Sequence, residues 1–209
     1  MSVFTSSMRP PAWCELETFD VVNLVAGESR HFPRRSAKER VIATTGNLQV
    51  VAGSRTQVIR EGQFLDLAAE AGWEFRGTAR PSQAVMFRGR WGDELGGCGI
   101  FSGRANGPTL LDGDPVDYPK NTGFDSHYHD CDEYWLILEG KGTAVVGKHF
   151  IAVGPGDCIP IGMGHHHDMP MVESPVKAVY FETTLEGLKR TGHLWNHTHG
   201  PAEPRPERV

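Results

Sequence analysis

Residues 121–140 read NTGFDSHYHDCDEYWLILEG, a stretch carrying two imidazoles and a carboxylate at spacings that suit a metal ion. His127 and His129 are two apart, so on an extended strand both side chains leave the same face. Glu133 follows a short turn and opens the apolar run YWLIL, from which it can face the same interior on the neighbouring strand. Gly140 is expected to turn the chain into the next strand. A second stretch, residues 154–165, reads GPGDCIPIGMGH. It turns at Pro155 and Gly156, runs through an apolar strand, turns again over 160–164 and delivers His165. Three neutral imidazoles and one carboxylate suit a divalent first-row ion, with Fe, Mn, Zn, Ni, Co and Cu indistinguishable on these ligands. Strand alternation turns His166 away from that interior and returns His167 to it, as a supporting group behind the ligands. Cys131, between His129 and Glu133, reads as an ordinary loop thiol.

The two stretches resemble the paired motifs of the cupin superfamily, G-x5-H-x-H-x3-4-E-x6-G and G-x5-P-x-G-x2-H-x3-N. His127, His129, Glu133 and Gly140 fit the first, while Gly154, Pro160, Gly162 and His165 fit the second. The resemblance implies a metal held by His127, His129, Glu133 and His165. Two positions depart from it: Asn121 stands for the leading Gly and Met169 for the closing Asn. Asn tolerates a left-handed backbone, and Met169 bears on the pocket rather than on the ligands.

Strands must position these groups, and the chain is written in strands. Short apolar runs such as 41–45, 84–87, 134–138, 143–146 and 150–153 alternate with Gly-containing turns, and Gly (25) and Pro (14) are abundant among 209 residues. That pattern predicts an all-β chain of sandwich or barrel type. Only 65–71 and 185–190 suggest a turn of helix. With the resemblance, it becomes a pair of double-stranded β-helix (jelly-roll) barrels in tandem. The first half repeats the motif offsets without the ligands. From Gly27 they fall on Pro33 and Arg35 where histidines would stand, then on Glu39 and Gly46; from Gly62 they fall on Trp73. We therefore expect a degenerate, metal-free barrel over 13–97, a metal-binding barrel over 98–190 and a tail over 191–209, with a hinge near Gly96-Gly97-Cys98-Gly99. Residues 1–12 read as a loose arm. The tail's Pro- and charge-rich end reads as unpacked, and His193, His197 and His199 around Trp195 read as a docked, partly exposed segment.

A net charge of −5 gives no electrostatic case for nucleic acid or an anionic membrane. No apolar run is long enough to span a bilayer, and the start has no secretory pattern, so a cytoplasmic protein with reduced cysteines is expected. No GxSxG elbow, P-loop, dinucleotide fingerprint or helix-turn-helix is present. The reading is a metal-dependent enzyme acting on a small polar metabolite, of sugar or sugar-acid isomerase, epimerase or lyase type, with the metal as Lewis acid. An iron-dependent dioxygenase needs the same ligands. A non-catalytic, metal-containing small-ligand binder is the reading from another class, and a homodimer is compatible with each. Tyr128, His167 and Tyr180 are the candidate catalytic groups, with Lys120 and Glu182 also available.

Overall fold

The computed structural model describes residues 3–67, 72–105, 113–185, 187 and 192–209. The chain divides into two units, Glu15–Trp91 and a second made of Met1–Cys14 with Gly92–Val209. Both the arm and the tail thus belong to the second unit, unlike the expected division at 13–97, 98–190 and 191–209.

The first unit runs β1 (Leu16–Leu24), β2 (Ser29–Pro33), β3 (Lys38–Thr45), β4 (Asn47–Ala52), β5 (Arg55–Arg60), β6 (Phe64–Asp66), β7 (Gly72–Gly77) and β8 (Ser82–Gly89). These form two antiparallel four-stranded sheets, ordered β1-β8-β3-β6 and β2-β7-β4-β5. Val22, Val41, Ala43 and Met86 from one sheet and Leu48, Val50, Trp73 and Phe75 from the other share one core. Alternation along each strand feeds that core, which is why apolar runs of only four to six residues suffice. Of the two suggested helical turns, 65–71 begins inside β6 and otherwise falls largely outside the described residues, as does 185–190.

The second unit contains β9 (Cys98–Gly103), β10 (Glu133–Val146), β11 (His149–Val153), β12 (Cys158–Ile161), β13 (His167–Glu182) and the single-turn helix α1 (Asn196–His199). Its sheet is ordered β11-β10-β13-β9, and β12 pairs with the other end of β10. The expected turn at Gly140 is absent. The runs 134–138 and 143–146 are one strand, bent between them where the β10–β13 register shifts. Gly140 has φ 81°, and a Cβ there would meet the Pro175 carbonyl at 2.1 Å, so the bend requires glycine. Trp135 and Ile137, which share Glu133's parity, enter a core with Ile159, Ile161, Met169 and Ala178.

The ends of the chain are packed. Phe4 is buried and exchanges both backbone hydrogen bonds with Cys158. Arg208 donates to both carboxylate oxygens of Asp132 at 2.9 Å, and Arg205 N–H donates to the Met163 carbonyl. The loose arm and unpacked tail expected from composition are corrected by these contacts: one buried aromatic and one ion pair anchor segments whose average character is polar. All four cysteines are free thiols. No helix among the described residues is long and apolar enough to cross a membrane.

Candidate metal centre

His127 and His129 lie just before β10 and flank Tyr128, whose backbone pairs with Leu194 of the tail. His127 exchanges both backbone hydrogen bonds with His167, the first residue of β13. Glu133 opens β10. Local pairing therefore brings three separate segments to one point. His127, His129, Glu133 and His167 each offer a ligand atom there, all within 4.8 Å of one another, and all four residues are buried.

The expected fourth ligand, His165, is not in this group. It ends the turn after β12, with its N–H donating to the Gly162 carbonyl, and its Nε2 donates to the Arg205 carbonyl of the tail at 2.8 Å. Gly164 (φ 77°) lets that turn run on against the tail, where a Cβ would meet the Glu203 carbonyl at 2.3 Å. The strand resumes at His167, two residues later, and the same parity returns an imidazole to the interior. His166 points the other way, onto Asp114 at 2.7 Å. The run of three histidines hid this shift, because motif spacing favoured the first of them.

The polar atoms of the cluster have an arrangement that could hold a cation. His127 Nδ1 donates to the Asp125 carbonyl at 3.1 Å and His167 Nδ1 to the His165 carbonyl at 2.9 Å. A carbonyl only accepts, so these contacts place the proton on Nδ1 and leave a lone pair on Nε2. His167 Nε2 stands 2.9 Å and His129 Nε2 3.3 Å from Glu133 Oε2, yet none of these three buried atoms has a hydrogen-bond partner. Glu133 Oε1, in contrast, accepts from Trp135 Nε1 at 2.8 Å. Lone pairs facing lone pairs in a buried site are costly, and a cation satisfies all of them at once. Burial holds His127 down at about 3 and His167 at about 4, keeps His129 well below its usual value, and raises Glu133. Neutral imidazoles are the state a divalent ion requires, whereas Glu133, raised by burial, must release any proton as an ion binds.

A cavity of about 390 Å³ opens onto the cluster, lined by His127 and Glu133 with Phe101, Phe124, Trp135, Tyr180, Glu182 and His193. Phe101, Phe124 and Trp135 pack edge-on or tilted, with centroids 5.1–5.4 Å apart, and form an aromatic wall. Glu182 ends β13 opposite Glu133 and is pushed up to about 7 by burial, with Glu133 adding repulsion. Of the candidate catalytic groups, Tyr180 lines the cavity and His167 sits among the candidate ligands. Tyr128 turns away, its hydroxyl donating to the Gly200 carbonyl at 2.9 Å. Lys120 is bound to Asp168 at 2.6 Å.

His193 was hidden in the sequence within the histidine-rich tail. Its ring stacks on His127 at 3.7 Å between centroids, and its Nδ1 lies 3.3 Å from Asp125 Oδ2. The hydrogen bond with Asp125 raises its pKa despite burial. His197 instead binds Asp114 at 2.8 Å, and His199 accepts the Trp195 N–H at 3.1 Å. The tail is docked, as expected, but one of its histidines reaches the cavity.

No protein-family model matches the chain. The uncharacterized protein y4oW of Sinorhizobium fredii (strain NBRC 101917 / NGR234) is 53% identical over 211 residues, covering 100% of this chain and 97% of its own. An IolB-like protein of Salmonella typhimurium superposes with a TM-score of 0.54 at 17% identity, covering 87% of this chain and 88% of its own. A deletion mutant of the Bacillus subtilis oxalate decarboxylase OxdC also gives 0.54, at 10% identity, over 87% of this chain and 76% of its own. This chain belongs to one family with y4oW, and it shares its fold with the IolB-like protein and with OxdC.

Proposed function

We propose that the second unit is a metal-dependent enzyme domain in which His127, His129, Glu133 and His167 hold one divalent transition-metal ion, and that its substrate is a small polar metabolite. The observation carrying this reading is the set of buried, unpartnered atoms His129 Nε2, His167 Nε2 and Glu133 Oε2, turned toward one another beside a cavity. When bound, the ion supplies Lewis acidity to adjacent oxygens of the substrate. The aromatic wall of Phe101, Phe124 and Trp135 packs the substrate's carbon atoms and keeps water out. Tyr180 offers a phenolic proton from one side of the cavity. On another side Asp125 Oδ2 fixes the His193 ring at Nδ1, so that His193 covers His127 and borders the substrate space. These groups suit isomerisation, epimerisation or elimination on a sugar or sugar acid.

The first unit we read as a degenerate barrel of the same kind. Glu39 and Trp73, which fall at ligand positions of the repeated motif, meet in its interior, with Trp73 Nε1 donating to Glu39 Oε2 at 2.7 Å. The buried Arg88 guanidinium donates to Glu39 Oε1 at 3.1 Å and takes the place of a cation.

The test is elemental analysis of protein purified without chelator, followed by screening of hydroxy acids and sugars in D2O for solvent exchange by NMR. One equivalent of a transition metal in the native protein, lost in His129→Ala, is expected, with exchange at a carbon next to an oxygen-bearing one. Iron together with substrate-dependent oxygen uptake would replace this reaction class with a dioxygenase. A metal-free protein that binds no added metal would overturn the reading.

A further inference from the structure

The three imidazoles are not held alike. His127 and His167 each give their Nδ1 proton to a backbone carbonyl, which leaves Nε2 as the donor atom. His129 makes no such bond of good geometry, although the Gly192 carbonyl is near enough to favour its protonated ring. Its Nδ1 is buried and unpartnered, and Glu182 Oε1 lies 3.6 Å away. The other oxygen, Glu182 Oε2, accepts the Gly97 N–H, and the Glu182 N–H donates to the Gly97 carbonyl at 2.9 Å. The carboxylate is therefore pinned at one oxygen and aimed at His129 with the other.

This arrangement gives a role to the glycines of the Gly96-Gly97-Cys98-Gly99 run, which lies within the second unit, past the boundary at Trp91. A Cβ on Gly96 would stand 2.3 Å from Glu182 Oε2 and 2.5 Å from Glu182 Cβ. One on Gly97 would stand 2.9 Å from the Tyr180 ring. Only bare backbone leaves room for Glu182 to lie where it does.

We infer that Glu182 is a positioning residue for the metal centre, accepting the Nδ1 proton of His129 so that Nε2 presents its lone pair to the ion. A histidine bound to a metal through one nitrogen carries its proton on the other, and a buried N–H needs an acceptor. When Nε2 coordinates, the 3.6 Å gap closes to a hydrogen bond. The inference rests on the metal-site reading above.

Glu182→Gln is the informative variant. Gly97 N–H keeps the amide oxygen on its side, which turns the amide NH2 toward His129 Nδ1. That nitrogen must then accept, and the proton moves to Nε2, the wrong atom for coordination. We expect zinc affinity, measured by chelator competition, to fall about 10- to 100-fold. In metal-free protein, long-range 1H–15N correlation spectra are expected to place the His129 proton on Nδ1 in the native chain and on Nε2 in Glu182→Gln. Should Glu182→Gln fail to fold, Glu182→Ala tests the same point, with the same loss of affinity but no forced tautomer. Native affinity in a folded variant, with an unchanged His129 tautomer, would overturn the inference. So would two zinc equivalents per native chain of which Cys131→Ser removes one, since Cys131 and Glu182 also lie within ligand reach of His129 and would then hold an ion on Nδ1. If native protein binds no metal, the metal-site reading fails, while the tautomer measurement still decides the role of Glu182.

Discussion

Glu133 has two unlike oxygens: one accepts the Trp135 indole proton, and the other faces His129 Nε2 and His167 Nε2, the latter with no proton to give. In metal-free protein this is a buried, uncompensated carboxylate. We expect Glu133→Gln to leave the Trp135 contact in place and to turn the amide NH2 toward His167 Nε2, supplying the missing donor. Metal-free Glu133→Gln should therefore melt at or above the native temperature, while zinc affinity drops at least about 100-fold, opposite signs that mark a site built for binding rather than for stability. Thermal melts with chelator and competition titration measure the two effects. A metal-free variant less stable by more than about 1 kcal/mol would count against an unsatisfied Glu133. At this scale the sequence displayed His127, His129 and Glu133, because their parity and spacing survive any small shift of a loop. It favoured His165, where the structure instead brings His167 to the cluster, because three consecutive histidines leave the choice to where a turn ends. It concealed His193, because the tail's docking onto Tyr128 depends on a backbone pairing that no side-chain pattern announces.

Among the elements, strands were legible from their apolar alternation, whereas the continuity of β10 through Gly140 was not. A glycine at a turn and a glycine at a bend look the same until the partner strand is known, and here β13 pairs on both sides of the bend. The tail's attachment is similarly tertiary. Asp114 Oδ2 accepts the Asn196 N–H at 2.8 Å and His166 Nε2 at 2.7 Å, and Oδ1 accepts His197 Nδ1 at 2.8 Å. Burial alone would raise the Asp114 pKa, but these hydrogen bonds outweigh it and hold the group at about 2, below its ordinary 3.8. A carboxylate depressed in the folded state contributes stability that is complete above its unfolded pKa and lost as pH falls through the folded one. The window is therefore pH 4 to 2. Amide exchange at Asn196 and His197 is expected to accelerate across that window in the native protein. In Asp114→Asn it should be fast already at pH 6, with little further change between pH 4 and 2. Equal protection in both proteins at pH 6 would remove Asp114 as the clasp.

For the molecule as a whole, composition settled the β class, and the repeated offsets from Gly27 pointed to a first unit lacking ligands. They did not show which group Glu39 would meet. The guanidinium there belongs to Arg88 on β8, not to Arg35, whose backbone N–H donates to Glu39 Oε1 at 2.9 Å. Arg88 lies outside the motif and could be found only from the pairing of β3 with β8, which sets Arg88 opposite Glu39. Glu39 and Arg88 have side chains 0% and 2% exposed, and Arg88 also bonds Asp20. Two charges in such a place hold one another in check, and removing one strands the other. Arg88→Met keeps much of the volume but leaves Glu39 with only the Trp73 and Arg35 donors. We expect it to lower stability by roughly 3–5 kcal/mol, the range for breaking a buried ion pair from one side. Urea unfolding followed by far-ultraviolet circular dichroism measures this loss, and zinc stoichiometry should remain one per chain because Glu39 gains no imidazole neighbours. A loss below about 1 kcal/mol would mean that water reaches Glu39 and that the guanidinium is not its counter-charge.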